Sequence, residues 1–203
     1  MIGIIDYKLG NLASVCNAFA SLGFEAKIVS KVEEIVKCSH LVLPGVGSFE
    51  VGMKNLVDLG FDIGIKDFIN SDKPFLGICL GMQLLFESSE EAKITTKGLG
   101  LIQGQVRSIS TRTSLHVPHV GWNDVIVCEK KIDSLLKNGD SYYFVHSFYC
   151  ECSNDEDSDA KVNYDFLFDV SVQKNKIYGV QFHPEKSHKS GLELLKRFGE
   201  LKC

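Results

Sequence analysis

Short apolar runs alternate with segments of helical periodicity in the first half of the chain. The apolar runs have the length of strands, and they cover residues 2–7, 24–29, 40–43 and 74–79. Segments with helical spacing lie between and after them, at residues 12–22, 32–36, 49–59, 61–70 and 80–91. Strands that alternate with helices over short connections predict a mostly parallel central sheet with helices on both faces.

The second half has a different pattern. Strand-like segments follow one another without intervening helices, at residues 101–109, 123–128, 142–152, 166–173 and 177–182. This predicts an antiparallel extension of the sheet, with a hairpin at residues 174–176. We expect the acidic stretch 153–159 to be an exposed loop and residues 190–201 to form a closing amphipathic helix. No repeat and no break in composition divides the chain, so residues 1–203 are interpreted as one domain.

Composition excludes several classes of function. The 203 residues include 22 Lys and Arg against 26 Asp and Glu, a formal net charge of −4, which is not typical of a nucleic-acid-binding protein. No apolar run approaches the roughly 20 residues of a membrane helix, and MIGIIDYKLGN at the start lacks the basic region of a signal peptide. We therefore expect a cytoplasmic protein that binds neither nucleic acid nor membranes.

The seven cysteines do not form a metal-binding or disulfide pattern. They are irregularly spaced, their number is odd, and no Cys-x-x-Cys pair occurs among Cys16, Cys38, Cys79, Cys128, Cys150, Cys152 and Cys203. We expect reduced thiols and no metal site. One cysteine nevertheless has a distinctive setting.

Cys79 lies between a predicted strand and a predicted helix, in the segment Gly77-Ile78-Cys79-Leu80-Gly81. A nucleophile flanked by small residues on a sharp strand-to-helix turn is the nucleophile elbow of many hydrolases. Such a turn raises the sulfur above the carboxyl edge of the sheet, close to a helix N-terminus that favours the thiolate. It also directs the Leu80 N–H toward an oxyanion on the substrate. Alone, the pattern is more typical of a tight turn around a buried cysteine, and the flanking strand and helix are what favour the nucleophile.

A base for this thiol is available at a later strand end, in GVQFHPEKS from Gly179. His183 can take the thiol proton and return it to the leaving group. Pro184 ends the strand, so Glu185 can project beside His183 and accept a hydrogen bond from the imidazole. Without Cys79, the same residues would be interpreted as an ordinary strand terminus.

A second oxyanion donor is predicted in LPGVGSF, which follows another strand from Leu43. The backbone of Gly45, Val46 and Gly47 can approach a ligand closely, and one of its N–H groups can complete an oxyanion hole with that of Leu80. An ordinary glycine turn is the alternative interpretation. A phosphate-binding loop is disfavoured because no Lys-Ser or Lys-Thr pair follows the glycines.

These motifs resemble those of the class I glutamine amidotransferases. Within that family, the chain looks like the glutaminase subunits of imidazole glycerol phosphate synthases, which serve histidine biosynthesis. The resemblance covers nearly the whole chain and is carried by IIDYKLGNL, LPGVGSF, GICLGMQLLFE, VPHVGWN, YFVHSF and GVQFHPEKS.

The resemblance implies a flavodoxin-like fold, no cofactor and no metal. It implies that glutamine is hydrolysed to glutamate and ammonia through a cysteine thioester. The ammonia is channelled to a (β/α)8 cyclase subunit, the partner in a heterodimer, which makes imidazole glycerol phosphate and aminoimidazole carboxamide ribotide.

The resemblance also assigns roles to individual residues. Cys79 becomes the nucleophile, His183 the base and acid, Glu185 the residue that orients the imidazole, and Gly45 to Gly47 the oxyanion segment. Residues matching contacts to glutamine are Gln83, Glu91, Ser147 and Phe148. Residues matching the cyclase interface are Asn11, Trp122, Tyr143 and Lys186.

Departures from the family pattern keep an alternative open. They lie at Lys8-Leu9, Gln103, Phe148 and residues 153–165, and they leave the three catalytic residues unchanged. Paralogous subunits with the same chemistry supply ammonia for amidino-sugar synthesis in surface polysaccharides. A scaffold subunit without activity and a cysteine peptidase are further hypotheses. The intact Cys-His-Glu set argues against the first, and the His-x-Glu spacing argues against the second.

Overall fold

The computed structural model describes residues 1–92, 96–129, 131 and 134–202. Cys203 lies outside the described residues. The strands in chain order are β1 (Ile2–Ile5), β2 (Ala26–Val29), β3 (His40–Gly45), β4 (Phe75–Cys79), β5 (Ser88–Ser89), β6 (Gly104–Ser108), β7 (His119–Asp124), β8 (Ile126–Val127), β9 (Ser141–His146), β10 (Phe148–Cys152), β11 (Ser158–Asn163), β12 (Leu167–Lys174) and β13 (Ile177–Val180). The α-helices are α1 (Leu12–Ser21), α2 (Phe49–Asp58), α3 (Phe61–Asn70), α4 (Leu80–Gln83) and α5 (His188–Gly199).

One large sheet runs through the described part of the chain. Its strand order is β2-β1-β3-β4-β13-β12-β10-β6-β5, and β11 and β8 pair beside β12. Strands β2, β1, β3, β4 and β13 are parallel to one another. Strands β12, β10 and β6 continue the sheet in antiparallel pairs. The β5–β6 pair at the edge is parallel. The prediction of a mostly parallel sheet with an antiparallel extension is confirmed. Strands β7 and β9 form a separate two-stranded antiparallel sheet.

Each face of the sheet has its own hydrophobic core, and the alternation of side chains along the strands decides which residue joins which core. Leu76 and Ile78 of β4 pack on one face with residues from α1 and α5. Phe75 of the same strand packs on the other face with residues from α2, α3 and α4. Helices therefore cover both faces, as the sequence predicts.

The turn from β4 into α4 depends on two glycines. A Cβ atom at Gly77 would lie 2.6 Å from the carbonyl oxygen of Gly81. A Cβ atom at Gly81 would collide with the carbonyl oxygen of Leu43 on the neighbouring strand. Both obstacles are backbone atoms, which cannot rotate away, so only glycine allows the helix to start this close to the sheet.

The predicted helix over residues 80–91 is wrong, because α4 ends at Gln83. The next three residues, Leu84 to Phe86, are all completely buried. Their carbonyl groups accept hydrogen bonds from residues 99–102 of a returning segment, at 2.8–3.2 Å, instead of continuing a helix. A helix packed on one sheet face could not bury three consecutive apolar side chains, and the returning segment supplies the missing cover.

The predicted loop over residues 153–159 is also wrong at its end, where β11 begins. Ser158 and Asp159 are buried. The Ser158 hydroxyl donates to Asp169 Oδ1 at 2.6 Å, and the Ser171 hydroxyl donates to Asp159 Oδ2 at 2.7 Å. Because these polar side chains are paired inside the fold, the strand has no apolar alternation that the sequence could reveal.

The predicted strand over residues 142–152 is divided at Ser147 into β9 and β10, which belong to different sheets. The amphipathic closing helix is confirmed, and its buried face carries Leu194, Leu195 and Phe198. Within the described residues, no helix is long and apolar enough to cross a membrane.

Gly81→Ala is expected to lower the free energy of unfolding by about 2–3 kcal/mol, because the added methyl group meets a strand carbonyl that cannot move aside. Urea unfolding followed by circular dichroism measures this change. Gly52→Ala in α2 is the matched control. Its Cβ would meet only side-chain methyl groups, those of Leu84 at 3.1 and 3.2 Å and one of Leu80 at 3.4 Å, and the helix gains up to about 1 kcal/mol from alanine. Equal stability of the two variants would contradict the prediction.

Candidate active site

The backbone at Cys79 is in an unusual conformation for a residue with a side chain. Its φ is 55° and its ψ is −109°. This pair of angles lies outside the well-populated regions, and such a conformation costs about 1–3 kcal/mol at a non-glycine residue and clusters at functional sites. The turn places the Cys79 side chain, which is almost completely buried, at the carboxyl edge of the parallel strands.

His183 and Glu185 lie beside this sulfur, at the end of the strand that neighbours β4. His183 follows β13, and Pro184 starts a short 3₁₀ turn that carries Glu185 back toward the imidazole. His183 Nδ1 and Glu185 Oε1 are 2.9 Å apart, and their side chains are only 4% and 2% exposed. A carboxylate can only accept, so the Nδ1 proton is fixed on this side and Nε2 is left to exchange a proton with the thiol.

The surroundings of His183 favour its charged form. Burial lowers the pKa of the imidazole, but the interactions with Cys79 and Glu185 outweigh this and raise the pKa to about 9. His183 Nε2 is buried, and among the described residues no contact to it meets the geometry of an ordinary hydrogen bond. Contacts of this kind between nucleophile and base are often loose before substrate binds.

The glycine segment predicted to hold an oxyanion lies on the other side of Cys79. Strands β3 and β4 pair so that Gly45 is opposite Cys79. A Cβ atom at Gly45 would lie 3.0 Å from Leu80 Cβ and would collide with the Tyr7 hydroxyl. Only a glycine therefore allows the β3 backbone to reach the nucleophile. Gly47, with a φ of 112°, turns the chain away again.

A cleft of about 380 Å³ opens over these groups. It is lined by nine of the residues that the sequence predicts, namely Val46, Gly47, Cys79, Leu80, Gln83, Glu91, Ser147, Phe148 and His183. Pro118, Val145 and His146 complete its wall. Gly45 and Glu185 do not line the cleft themselves, but Gly45 pairs with Cys79 and Glu185 binds His183.

The predicted substrate-binding side chains are held by specific hydrogen bonds. Glu91 Oε2 accepts from the Phe49 N–H at the start of α2, at 2.8 Å. Gln83 Nε2 donates to the Phe148 carbonyl at 3.3 Å. The Ser147 carbonyl accepts from the Ile109 N–H at 3.0 Å. These bonds fix the break between β9 and β10 along one side of the cleft.

Two buried histidines support the same wall. His146 Nδ1 lies 2.7 Å from the Phe148 carbonyl, and His146 Nε2 lies 2.9 Å from His119 Nδ1. Burial lowers the pKa of His146 to about 3 and that of His119 to about 4, so both imidazoles are neutral.

Gln181 was not recognised from the sequence, although it lies in the site. It is completely buried, and its Nε2 donates to Cys79 Sγ at 3.7 Å. The available signal was a polar residue inside an apolar strand run, two positions before His183 and so on the same side of an extended chain.

The four residues matched to a partner interface do not line the cleft, although the Tyr143 carbonyl accepts a hydrogen bond from the His183 N–H at 3.0 Å. Trp122 is 48% exposed. Its ring stacks on that of His188, with 5.1 Å between the ring centroids, and meets the ring of Tyr143 edge-on, with 6.1 Å between the centroids. Asn11 caps α1 by accepting from the Ser14 N–H, and Lys186 is exposed in the 3₁₀ turn after His183. In the β7–β9 sheet, Val120 pairs with Val145 and Trp122 with Tyr143.

Val145 also lines the cleft, so this part of the β7–β9 sheet forms the rim of the cleft. We call Val120, Trp122, Tyr143 and Val145 the rim surface.

Among the described residues, no group of three or more His, Cys, Asp or Glu side chains is arranged to hold a metal ion.

Glu185→Gln is expected to lower the pKa of His183, because the carboxylate that raises it is removed. Turnover of an amide substrate by Cys79 should fall by about 10²-fold or more. Alkylation of Cys79 by iodoacetamide near pH 7 should also slow. Glu193→Gln, an exposed change in α5, is the control and should alter neither rate. An unchanged His183 pKa, measured by NMR, would contradict the prediction.

The same variant should change how stability depends on pH. The folded-state pKa of His183, about 9, lies above the usual value near 6.5. Its contribution to stability is therefore complete below about pH 6.5 and is lost as the pH rises through about 9. In Glu185→Gln, unfolding measurements across this range should show the loss completed at lower pH.

Comparison with known proteins places this site in a family context. The sequence model described as glutamine amidotransferase class-I matches residues 3–200. Imidazole glycerol phosphate synthase subunit HisH 2 of Methanococcus maripaludis is 45% identical over 201 residues, which cover 98% of either chain. Subunit HisH of Sulfurimonas denitrificans is 45% identical over 98% of this chain and 97% of its own.

Solved structures show the same fold at low identity. A crystal structure titled as a glutamine amidotransferase superposes with a TM-score of 0.76 at 20% identity, covering 98% of either chain. The structure of PurLQS from Thermotoga maritima gives a TM-score of 0.73 at 18% identity, covering 97% of this chain and 96% of that chain.

Proposed function

We propose that this chain, which belongs to the class-I glutamine amidotransferase family, hydrolyses glutamine as a subunit of an imidazole glycerol phosphate synthase. The observation that carries the proposal is the meeting of Cys79, His183 and Glu185 from two neighbouring strands at the base of one cleft. Relatives that match nearly the full chain at 45% identity bear the name of that synthase subunit.

The chemistry follows from the positions of the three groups. The Cys79 sulfur attacks the side-chain amide carbon of glutamine, and His183 gives a proton to the departing nitrogen, which leaves as ammonia. A γ-glutamyl thioester remains on Cys79. Water then attacks this thioester while His183 removes its proton, and glutamate is released with the thiol restored. Glu185 keeps the imidazole in the orientation that both steps need.

Two backbone segments can stabilise the negative charge that develops on the substrate oxygen. The Leu80 N–H opens α4, and the segment from Gly45 to Gly47 lies opposite Cys79 across the β3–β4 pairing. We assign the oxyanion hole to one donor from each. Loss of one such donor typically slows the reaction by about 10²- to 10³-fold.

Recognition of glutamine is assigned to the polar groups around the cleft. Glu91 has a carboxylate oxygen beyond the one bonded to Phe49, and it can pair with the substrate ammonium group. Gln83 and the backbone of Ser147 and Phe148 supply neutral donors and acceptors for the remaining polar atoms of glutamine. Together they fit a small zwitterionic amide better than an extended peptide.

The fate of the ammonia defines the partner. Free ammonia would be protonated in water, so an enzyme that uses it must cover the cleft. The rim surface offers exposed apolar side chains beside the cleft, which is typical of the centre of a protein interface. We propose that the (β/α)8 cyclase subunit binds here in a heterodimer in the cytoplasm, with Trp122, Tyr143, Lys186 and Asn11 at the contact.

Supply of ammonia to an amidino-sugar enzyme, the alternative left open by the sequence, is not favoured. The relatives compared above are named for imidazole glycerol phosphate synthase.

Cys79→Ser is expected to abolish glutamine hydrolysis, because the serine hydroxyl is a far weaker nucleophile beside the same imidazole. The complex with the cyclase should still make imidazole glycerol phosphate from added ammonium salt. Glutamate release and product formation are measured with the purified complex. Cys16→Ser, on α1, is the matched control and should retain glutamine use. Glutamine hydrolysis by Cys79→Ser at the wild-type rate would refute the proposed function.

Trp122→Ala is expected to weaken binding of the cyclase by about tenfold or more, since large aromatic side chains contribute most at interface centres. Isothermal titration with the purified cyclase gives the Kd. The control is Val36→Ala. Val36 is an exposed apolar residue on the 3₁₀ turn that precedes β3, at the amino edge of the parallel strands and away from the cleft. Equal affinities for both variants would place the partner elsewhere.

A further inference from the structure

An unbroken chain of hydrogen bonds connects the substrate side of the cleft to the nucleophile. Gln83 Nε2 donates to the Phe148 carbonyl at 3.3 Å and to Gln181 Oε1 at 3.0 Å. Gln181 Nε2 in turn donates to Cys79 Sγ at 3.7 Å. Gln181 is completely buried and Gln83 is 6% exposed, so water does not compete for these bonds.

The direction of this chain is determined by its first member. A backbone carbonyl can only accept, so Gln83 must present its NH₂ group to Phe148. The second hydrogen of that NH₂ group points to Gln181, which must therefore present its oxygen to Gln83. The Gln181 NH₂ group is then left facing the sulfur. Reversing either amide would bring two acceptors or two donors together.

The neighbouring histidine pins the same carbonyl. His146 Nδ1 lies 2.7 Å from the Phe148 oxygen and must carry the proton there. Phe148 thus accepts two hydrogen bonds, one from an imidazole and one from Gln83. This holds the carbonyl in place and with it the orientation of both amides.

An N–H group directed at the sulfur has two physical effects. It stabilises the thiolate relative to the thiol, because a hydrogen bond to the charged form favours that form. It also restricts rotation about the Cα–Cβ bond of Cys79. The Gln181 amide thus contacts a sulfur that also interacts with His183. Both effects are larger in a buried site, where the effective dielectric constant is low.

We propose that Gln181 is a positioning residue for the nucleophile. Its side-chain N–H holds Cys79 Sγ in the direction of attack and stabilises its thiolate, and the Phe148 carbonyl sets the amide through Gln83. The thiolate is both the attacking group and the group released when the thioester is hydrolysed. The contribution to turnover rests on the proposed function, whereas the effect on the thiol does not.

The test compares Gln181→Leu with wild-type protein by the pH dependence of alkylation at Cys79. Iodoacetamide is the probe, and peptide mass mapping separates Cys79 from the other cysteines. Leucine has a similar size but cannot donate, so the midpoint of the rate–pH profile should move upward by about one unit. On the acidic side of the profile, that shift corresponds to about tenfold slower alkylation at a given pH. With the cyclase present, kcat for glutamine should fall while KM stays close to the wild-type value.

Two further variants separate positioning from stability. Gln173→Leu removes a side-chain amide from β12. Gln173 pairs with Tyr178 of β13 and does not line the cleft, so this variant should leave the alkylation profile unchanged. Gln181→Glu keeps the size of the side chain but brings negative charge toward the sulfur. Its profile should shift upward further than that of Gln181→Leu, and it serves as the test if the leucine variant does not fold.

An alkylation profile of either folded Gln181 variant that superposes on that of the wild type would overturn the inference, even if thermal unfolding showed lower stability. The proposed function fails in a different way. Wild-type protein would then show the expected alkylation profile but no glutamine hydrolysis with the cyclase, and the role of Gln181 at the thiol would stand.

Discussion

The strained backbone at Cys79 is the constraint on which the arrangement of the site depends. A residue with φ of 55° does not remain in that conformation without support, because the cost is about 1–3 kcal/mol. The support comes from β3 and β13, which pair with β4 on either side. It also comes from Gly77 and Gly81, where a methyl group would meet backbone atoms. The central position of β4 thus stabilises a turn that an edge strand could not hold.

The same sheet order explains how residues distant in sequence meet. Strands β3, β4 and β13 are neighbours, although β13 follows β4 by nearly a hundred residues of chain. Because the three strands are parallel, their carboxyl ends lie at one edge. Gly45, Cys79 and His183 all lie at or just beyond those ends. Burial then strengthens the interaction of His183 with Glu185, which raises the imidazole pKa despite the desolvation that opposes it.

The sequence was informative where a local rule decides the structure. Glycines flanking Cys79 and the proline after His183 each impose backbone geometry on their neighbours, so the elbow and the strand end were predictable. It was uninformative where distant residues decide. The helix ends at Gln83 because the N–H groups of residues 99–102 bind the carbonyl groups of Leu84 to Phe86. Strand β11 has no apolar alternation because its buried Ser158 and Asp159 are hydrogen-bonded to residues of β12. Gln181 belongs to this second group, since its meaning depends on Gln83 and Phe148.

The wall of the cleft and the rim surface are two faces of one structural unit. Strands β7 and β9 present Val120, Trp122, Tyr143 and Val145 outward, while His119 and His146 from the same strands are buried and bonded to each other. His146 also bonds the Phe148 carbonyl, from which the amide chain leads to Cys79. The neutral state of His146 matters to this connection, because a protonated His146 would have no acceptor for the His119 N–H. Buried hydrogen bonds therefore connect the inner side of β7 and β9 to the nucleophile, and burial protects their geometry from solvent.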